Sequence, residues 1–354
     1  MIGHLTRTCI LAAGCLVGLA AASPSQREAK SDPTPSRTWK LAFVRDDDIW
    51  VANGDGSGPR RLIRNRTRPC WSPDRKRIAF VRGGNIWAAD ANGQGQRQLT
   101  AFPAERDDFA ADDDGDLYVD LTWDPRADRI MFSHPESYQI TKTGKAGKTI
   151  MRGSSLFDIA WQPGTKHAPD LIYDLTDRGA SYHFSNYNHP AWSRDGRLCV
   201  YTCNGDIRLC TRLPPEEENP ESGVKRNWQV DVTRLAAVAF VDAPTWRGSR
   251  QNHGAAHLSW APAASFLVYA FPRQSGSGFQ EIHLLQLKKG EGKLGDIHGD
   301  IEVKEDRYLG DGTDPCMSPD GKLIVYDGYR DLRVVAVDGK EDRVLIKDGE
   351  QPAW

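Results

Sequence analysis

A short motif built on tryptophan and proline recurs along the 354-residue chain and constrains its fold more than any other feature. In its fullest form, Trp71-Ser72-Pro73-Asp74, it is followed by the alternating apolar run Arg77 to Val81. A tight turn that leads into a period-two strand, repeated many times, is typical of repeat folds whose unit is a small sheet. Further copies begin at Trp123, Trp161, Trp192, Trp260 and Met317, and the chain ends on Pro352-Ala353-Trp354.

The two ends of the chain complement each other. Three alternating runs, from Trp39 to Ile63, precede the first anchor, whereas later blocks have four. The last residues, Gln351 to Trp354, form an anchor strand with no block behind it. A propeller closed by pairing these ends leaves neither strand edge exposed. The sequence therefore predicts an all-β propeller of four-stranded antiparallel blades, its ring closed by the C-terminal strand joining the N-terminal blade.

The number of anchors predicts the number of blades. Seven anchors, with the terminal one completing the first block, give seven blades of about 45 residues, a normal repeat length. The span from Trp161 to Trp192 is short for four strands. If that block merges with its neighbour, six blades remain as the alternative.

The first 37 residues carry the signals of export. Arg7 precedes an apolar run that ends at a small-residue cleavage pattern, so we expect a signal peptide over residues 1–22. Residues 23–37 are rich in proline, serine and charge and are expected to be a disordered tether before a propeller over 38–354. This predicts a periplasmic or extracellular protein that contacts a membrane only through an uncleaved leader or a lipid on Cys15.

The anchor, the strands and the tail of each block together resemble a known family. The Trp-Ser-Pro-Asp anchor, the Ile78-Ala79-Phe80-Val81 strand and the Asp48 to Val51 strand are similar to TolB-like propeller repeats, across residues 38 to 354. The resemblance implies the fold and says little of activity, since such propellers serve binding proteins, peptidases and polysaccharide lyases. TolB proper carries an α/β domain before its propeller, where this chain has the tether.

Polar residues occupy the same position in every anchor strand. Period-two alternation places the residues three and one before each anchor on the same side of the strand. The residues one before the anchors are all small: Cys70, Thr122, Ala160, Ala191, Ser259, Cys316 and Ala353. The residues three before are all polar, and we expect them to form a ring at the entrance of the central channel: Arg68, Asp120, Asp158, His189, His257, Asp314 and Gln351.

Two long connections are expected on the same face as this ring. One carries Trp246 and Arg250, which suit stacking on a sugar or peptide. The other carries Asp112, Asp114 and Asp116 in a spacing typical of calcium loops, with a solvated acidic loop as the alternative. No cofactor is firmly implied; calcium or another divalent ion is the candidate, and His189 with His257 offers a second metal site.

The composition and the motifs restrict the function. A net charge of −2 speaks against a nucleic-acid partner, and the sequence contains no serine-hydrolase elbow, phosphate loop or dinucleotide fingerprint. We therefore expect a monomeric, exported, non-enzymatic scaffold that binds a protein or glycan at the channel entrance. The alternative is a metal-assisted enzyme resembling polysaccharide lyases, with His189 or His257 as base or ligand and Arg68 or Arg250 as carboxylate clamp.

Overall fold

The described part of the chain is built from strands. A computed structural model describes residues 35–101, 120–125, 129–141, 148–160, 170–173, 187–196, 198–203, 206–212, 228–234, 255–261, 266–273, 279–289 and 301–354. Its strands form six four-stranded antiparallel sheets, which confirms the predicted blade type. Among the residues described, no helix is long and apolar enough to cross a membrane.

The strands of each sheet follow one another in the chain, except in sheet 1. Sheet 1 runs from β24 (Glu350–Ala353) through β1 (Lys40–Arg45) and β2 (Asp48–Asn53) to β3 (Arg60–Ile63). Sheet 2 contains β4 (Thr67–Trp71), β5 (Arg77–Arg82), β6 (Asn85–Asp90) and β7 (Arg97–Gln98). Sheet 3 contains β8 (Leu121–Trp123), β9 (Arg129–Thr141), β10 (Lys148–Ala160) and β11 (Asp170–Tyr173).

The second half of the chain continues the same order. Sheet 4 contains β12 (Tyr187–Trp192), β13 (Leu198–Cys203), β14 (Asp206–Arg212) and β15 (Trp228–Arg234). Sheet 5 contains β16 (Ala256–Trp260), β17 (Phe266–Pro272), β18 (Gln280–Lys289) and β19 (Ile301–Asp311). Sheet 6 contains β20 (Thr313–Met317), β21 (Leu323–Asp327), β22 (Asp331–Ala336) and β23 (Arg343–Lys347).

The hydrophobic core lies between neighbouring sheets. On β5, Ile78 and Phe80 belong to a cluster shared with sheet 1, whereas Ala79 and Val81 belong to one shared with sheet 3. Because successive side chains of a strand point to opposite faces, an all-apolar run is what a sheet with neighbours on both sides requires. This is why the second strand of a block reads as continuously apolar in the sequence.

Two of the anchor tryptophans join neighbouring innermost strands. The indole Nε1 of Trp123 donates to the carbonyl of Cys70, at 3.1 Å, and that of Trp260 donates to the carbonyl of Ala191, at 3.0 Å. Each bond connects the innermost strand of one sheet to that of a neighbouring sheet. The tryptophan therefore both fills the core and satisfies a backbone acceptor, which few other residues could do.

The serine and aspartate of the anchor build the turn after it. In sheet 6, Ser318 Oγ lies 2.7 Å from Asp320 Oδ1 and accepts the N–H of Leu323 at 3.0 Å. Side-chain hydrogen bonds of this kind stabilise tight turns because they replace backbone partners. The same bonds recur at Ser72 in sheet 2 and Ser193 in sheet 4.

The prediction of seven blades is wrong, because the block that starts at Trp161 does not begin a sheet. β9 and β10 pair along their whole length, with Arg129 opposite Ala160 at one end and Thr141 opposite Lys148 at the other. β10 pairs with β11 on its other side. The predicted innermost strand up to Ala160 is therefore the third strand of sheet 3. The motif Trp161 to Pro163 itself lies outside the described residues.

The C-terminal strand pairs with the N-terminal one. β24 lies antiparallel to β1, with Ala353 opposite Ala42 and Glu350 opposite Val44. The ring of Trp354 stands edge-on to that of Trp39, with centroids 5.6 Å apart. The innermost position of sheet 1 is thus filled from the far end of the chain. Residues 1–34 lie outside the described part, so the signal peptide and most of the tether stay predictions.

Candidate functional site

One cavity is lined by the innermost strands of all six sheets. Its volume is about 230 Å³. Sites for drug-sized ligands usually measure about 300 to 1,000 Å³, so this cavity suits an ion or one side chain better than a chain of sugars. Six predicted ring residues line it: Arg68, Asp120, His189, His257, Asp314 and Gln351. Six of the predicted small residues line it as well: Cys70, Thr122, Ala191, Ser259, Cys316 and Ala353.

A β-bulge carries the ring residue in five of these six strands. In β12, for example, Asn188 pairs with Thr202 of β13 and Ala191 pairs with Val200. The chain therefore advances three residues along β12 where it advances two along β13. The same shift occurs in β4, β16, β20 and β24. Bulges re-aim side chains, and they are enriched beside active sites.

The ring residue itself adopts a left-handed backbone conformation. The φ angles of Arg68, His189, His257, Asp314 and Gln351 lie between 46° and 52°. Residues other than glycine seldom adopt this conformation, and it is most informative where it recurs beside a cavity. In four of the five strands a proline follows the ring residue, and the bulge accommodates it because proline offers no N–H to the sheet.

Arg68 connects opposite sides of the ring. Its Nη1 lies 2.5 Å from Asp314 Oδ1 and 3.5 Å from Asp120 Oδ1. Its backbone N–H donates to Gln351 Oε1 at 2.8 Å. The guanidinium thus holds two carboxylates, one in β20 and one directly before β8.

Two histidines stand side by side in the ring. The imidazole rings of His189 and His257 have centroids 4.6 Å apart. His189 Nδ1 lies 2.5 Å from Asp120 Oδ2, and His257 Nδ1 lies 2.8 Å from Asp314 Oδ1. Each imidazole therefore faces one carboxylate, and the two pairs share the cavity with Arg68.

Burial and the neighbouring charges set the protonation of the site. Burial works against the ionised form of both carboxylates, but the histidines and Arg68 outweigh it and hold the pKa of Asp120 and of Asp314 well below the usual range. Burial also lowers the pKa of His189, more than Asp120 raises it. Near neutral pH, two ionised carboxylates therefore lie beside Arg68 and an uncharged His189.

Three of these side chains could hold a metal ion. Asp120, His189 and His257 each offer a donor atom, and the three atoms lie within 4.8 Å of one another. Two imidazoles and a carboxylate are a donor set typical of zinc and of other first-row transition ions. Asp314 and Arg68 surround this set without completing it.

The remaining predicted site residues lie elsewhere or outside the described part. Asp158 was predicted in the ring, and this is wrong: it lies on β10, opposite Met131 of β9 and Asp170 of β11, because that strand is third in its sheet. Trp246 and Arg250 belong to a connection outside the described residues, and so do Asp112, Asp114 and Asp116 of the predicted calcium loop.

Sequence reasoning missed one carboxyl beside the ring. Asp327 is buried at the end of β21, opposite Thr313, and its Oδ1 accepts the N–H of Tyr329 at 2.7 Å. Burial first, and then Asp314 and Glu350, raise the pKa of Asp327 to about 7. Its position next to the ring follows from strand register, for which the anchor motif gives no signal.

An aromatic cluster projects from the face on which the innermost strands begin, here called the entrance face. Phe279, Tyr308 and Tyr329 are 49%, 52% and 39% exposed, and the rings of Phe279 and Tyr329 have centroids 4.9 Å apart. Tyr329 has a φ of 69°, unusual for a bulky residue. A hydrogen bond of 2.9 Å joins Thr313 Oγ1, whose residue precedes the cavity residue Asp314, to Gln280 Oε1, whose residue follows Phe279.

These features define a β-propeller with a polar cavity at one end of its channel. No protein-family model matches the sequence, and no curated protein matches it. Among solved structures, TolB from Acinetobacter baumannii aligns with a TM-score of 0.53 at 16% identity, over 90% of this chain and 67% of that one. The fold is therefore that of a TolB-like propeller.

Two further structures align less well. A candidate TolB from Agrobacterium tumefaciens gives a TM-score of 0.46 at 16% identity, over 88% of this chain and 90% of that one. A chain of a nidogen–laminin complex gives a TM-score of 0.48 at 9% identity, over 89% of this chain and 97% of that one. At such identities the likeness concerns the fold alone.

Proposed function

We propose that this protein is an exported, non-enzymatic TolB-like propeller scaffold that binds a protein partner at its entrance face, with a glycan as the alternative ligand. The observation that carries the proposal is the cluster of Phe279, Tyr308 and Tyr329, three half-exposed aromatic side chains on the entrance face. Large apolar side chains are costly in water, and grouped on one surface they mark interaction sites.

The chemistry of the cluster suits a protein surface. Tyrosine and phenylalanine are enriched in protein interfaces, and so is arginine. Here Arg273 Nη1 lies 3.3 Å from Asp311 Oδ2, and Tyr308 donates to the other oxygen of that carboxylate at 2.9 Å. The aromatic centre thus has a polar border, the usual arrangement of a recognition patch.

The cavity beside the cluster supplies a polar anchor point. Its volume of about 230 Å³ admits one side chain of a partner or one ion. Arg68, Asp120, His189, His257, Asp314 and Gln351 would contact what enters, and we assign Trp246 and Arg250 to the same surface as part of this proposal.

Three further features belong to the proposal. Residues 1–22 direct export to the periplasm or beyond, and residues 23–37 tether the propeller. The pairing of β24 with β1 closes the ring, because it gives sheet 1 its innermost strand. The protein acts as a monomer whose membrane contacts, where they occur, come from its leader.

Site-specific photo-crosslinking tests the proposal. A benzophenone side chain is placed at Tyr329 on the entrance face and, as a matched control, at Lys340 in a turn of the opposite face, in the full chain within the organism that encodes it. We expect a discrete protein adduct from position 329 that disappears with Phe279→Ala, and none from position 340. Adducts from position 340 alone, or none from either, would overturn the proposal, and a carbohydrate adduct would favour the glycan.

The lyase-like alternative is not carried further. Its charge clamp, Arg68, is held by Asp314 and Asp120. Its other clamp, Arg250, lies outside the described residues. The closeness of His189 and His257 favours metal binding, which is a different property from elimination chemistry.

A further inference from the structure

We propose that Asp120, His189 and His257 form a binding site for a divalent transition-metal ion, with Zn²⁺ as the representative ion. The inference deepens the proposed function. It rests on that function in one respect, because both treat the cavity as a ligand site. It concerns the chemical class of a ligand, and it holds or fails independently of what binds the aromatic cluster.

The donor set carries the first part of the argument. The three donor atoms lie within 4.8 Å of one another. Donors bound at about 2.1 Å in a tetrahedral site are about 3.4 Å apart, so modest side-chain rotations bring these three onto one ion. The remaining positions of the ion would face the open cavity.

A buried contact between two of the donors carries the second part. His189 is only 8% exposed, and its Nδ1 lies 2.5 Å from Asp120 Oδ2. Within the described residues neither of these two atoms has a further hydrogen-bond partner. Burial makes such a pair costly, and an ion bound by both side chains would offset that cost.

The surroundings of His257 complete the arrangement. Its Nδ1 lies 2.8 Å from Asp314 Oδ1 and 3.3 Å from Arg68 Nη1. As part of the proposal, we assign the Nδ1–H tautomer to His257, which donates to Asp314 and has its lone pair on Nε2. Metal-bound histidines commonly donate their other N–H to a carboxylate, which fixes the ring and its tautomer.

The backbone holds the donors in place. The three residues come from sheets 3, 4 and 5, which follow one another in the chain. His189 and His257 both sit at bulges with φ near 50°, and Asp120 exchanges bonds with Ser133, whose N–H donates to the carbonyl of Asp120 at 2.9 Å. Donors on rigid neighbouring strands lose little freedom when they bind an ion.

The donor types select the ion. Calcium and magnesium prefer sites made only of oxygen atoms, whereas imidazole favours zinc and its neighbours in the first transition row. Arg68, 3.5 Å from Asp120 Oδ1, opposes any cation there. Removing its charge should therefore strengthen binding.

Calorimetric titration of the full chain tests the inference. After removal of metals by chelator, ZnCl₂ is titrated into the protein, and Co²⁺ is added separately as a spectroscopic probe. We expect one zinc ion per chain, no competition by Ca²⁺, and a visible Co²⁺ spectrum of a low-coordinate nitrogen and oxygen site. A chain that binds no zinc, or whose Co²⁺ spectrum is that of the hexaaqua ion, overturns the inference.

Variants locate the site. His189→Ala and His257→Ala should each weaken zinc binding by more than about 100-fold, and Asp120→Asn by at least about 10-fold. Arg68→Gln should tighten it by about 10-fold, because a like charge is removed at short range. The matched control is His283→Gln, since His283 also faces two carboxylates, Glu281 and Asp306, at 3.5 and 3.2 Å, yet outside the cavity.

Each result has one meaning. Unchanged zinc affinity in His257→Ala, or its loss in His283→Gln, contradicts the inference. If a histidine variant fails to fold, the Co²⁺ spectrum of the unaltered chain decides. Photo-crosslinking at Tyr329 that persists in His257→Ala would show that the scaffold function stands without the metal site.

Discussion

The two ends of each innermost strand differ in how their side chains are used. The turn end repeats the same stabilising contacts, whereas the ring end carries the candidate site. At the turn end, the anchor repeats the same solution: the indoles of Trp123 and Trp260 bond the adjacent strand, and the same serine turn follows in three sheets. At the ring end, three residues earlier, every strand carries a polar side chain, in five of the six strands on the same kind of bulge, and these side chains are one arginine, one glutamine, two aspartates and two histidines.

This difference shows which positions the fold fixes. A side chain that makes the same bond in sheet after sheet is there for stability. Five of the six ring positions share a backbone conformation, but their side chains range from arginine to aspartate, so this conformation does not dictate which polar residue stands there. Charged groups that are buried together are costly for stability, and the proposed metal site gives those of the ring a role.

Removing the C-terminal strand should have the largest effect. Without residues 350–354, β1 keeps β2 but loses its partner on the other side, and the core between sheets 6 and 1 loses Trp354. Burial of that tryptophan alone is worth about 3–5 kcal/mol, so we expect the truncated chain to lose cooperative urea unfolding by circular dichroism. Trp354→Phe, which keeps most of the apolar contact, should stay folded. An unchanged midpoint in the truncated chain would refute ring closure by β24.

A change at the ring end should alter the pH dependence of stability. Because the pKa of Asp327 in the folded protein is about 7, above its unfolded value of 3.8, the folded state binds more protons, and stability falls as pH rises between those values. Asp327→Asn should remove a loss of about 2–3 kcal/mol between pH 5 and 8, measured by urea denaturation, because each pH unit below 7 in that range is worth about 1.4 kcal/mol.

The control for this experiment is Asp338→Asn, an exposed turn carboxyl whose pKa the backbone N–H of Lys340 lowers instead. Its unfolding midpoints should keep the wild-type slope between pH 5 and 8. A wild-type slope in Asp327→Asn as well would mean that Asp327 is ionised throughout this range in the folded protein.

Substitutions at the turn end should have smaller effects that are equal in every sheet. Ser72→Ala, Ser193→Ala and Ser318→Ala each remove a hydroxyl that accepts a backbone N–H at 3.0 Å. We expect each to lower the free energy of unfolding by about 1 kcal/mol, without changing zinc affinity. Costs that differ by several-fold among the three, or a loss of zinc binding, would show that the two ends are not separate in role.

Much of the fold follows from the sequence, and its main error has a physical reason. The motif Trp-x-Pro predicts a turn after a strand, but it does not say which strand of a sheet precedes the turn. At Trp161 the preceding strand is β10, held third in sheet 3 by its long pairing with β9. The register between two distant segments decides this, and local sequence does not encode it.

The candidate site, like the fold, could be predicted from the sequence only in part. The ring could be predicted from strand periodicity, and once Asp158 is removed from it, Asp120, His189 and His257 come from consecutive sheets. The bulges could not be predicted, because a residue before proline normally prefers extended backbone. The approach of Asp327 to the ring depends on cross-strand register in sheet 6.

The most direct test of the ring as a ligand site is anomalous X-ray scattering at the zinc edge, from crystals of the full chain grown with ZnCl₂. The account predicts one strong peak within bonding distance of Asp120, His189 and His257, and its loss in crystals of His257→Ala. A peak at His283 or at surface carboxylates alone, or no peak in the cavity, would contradict it.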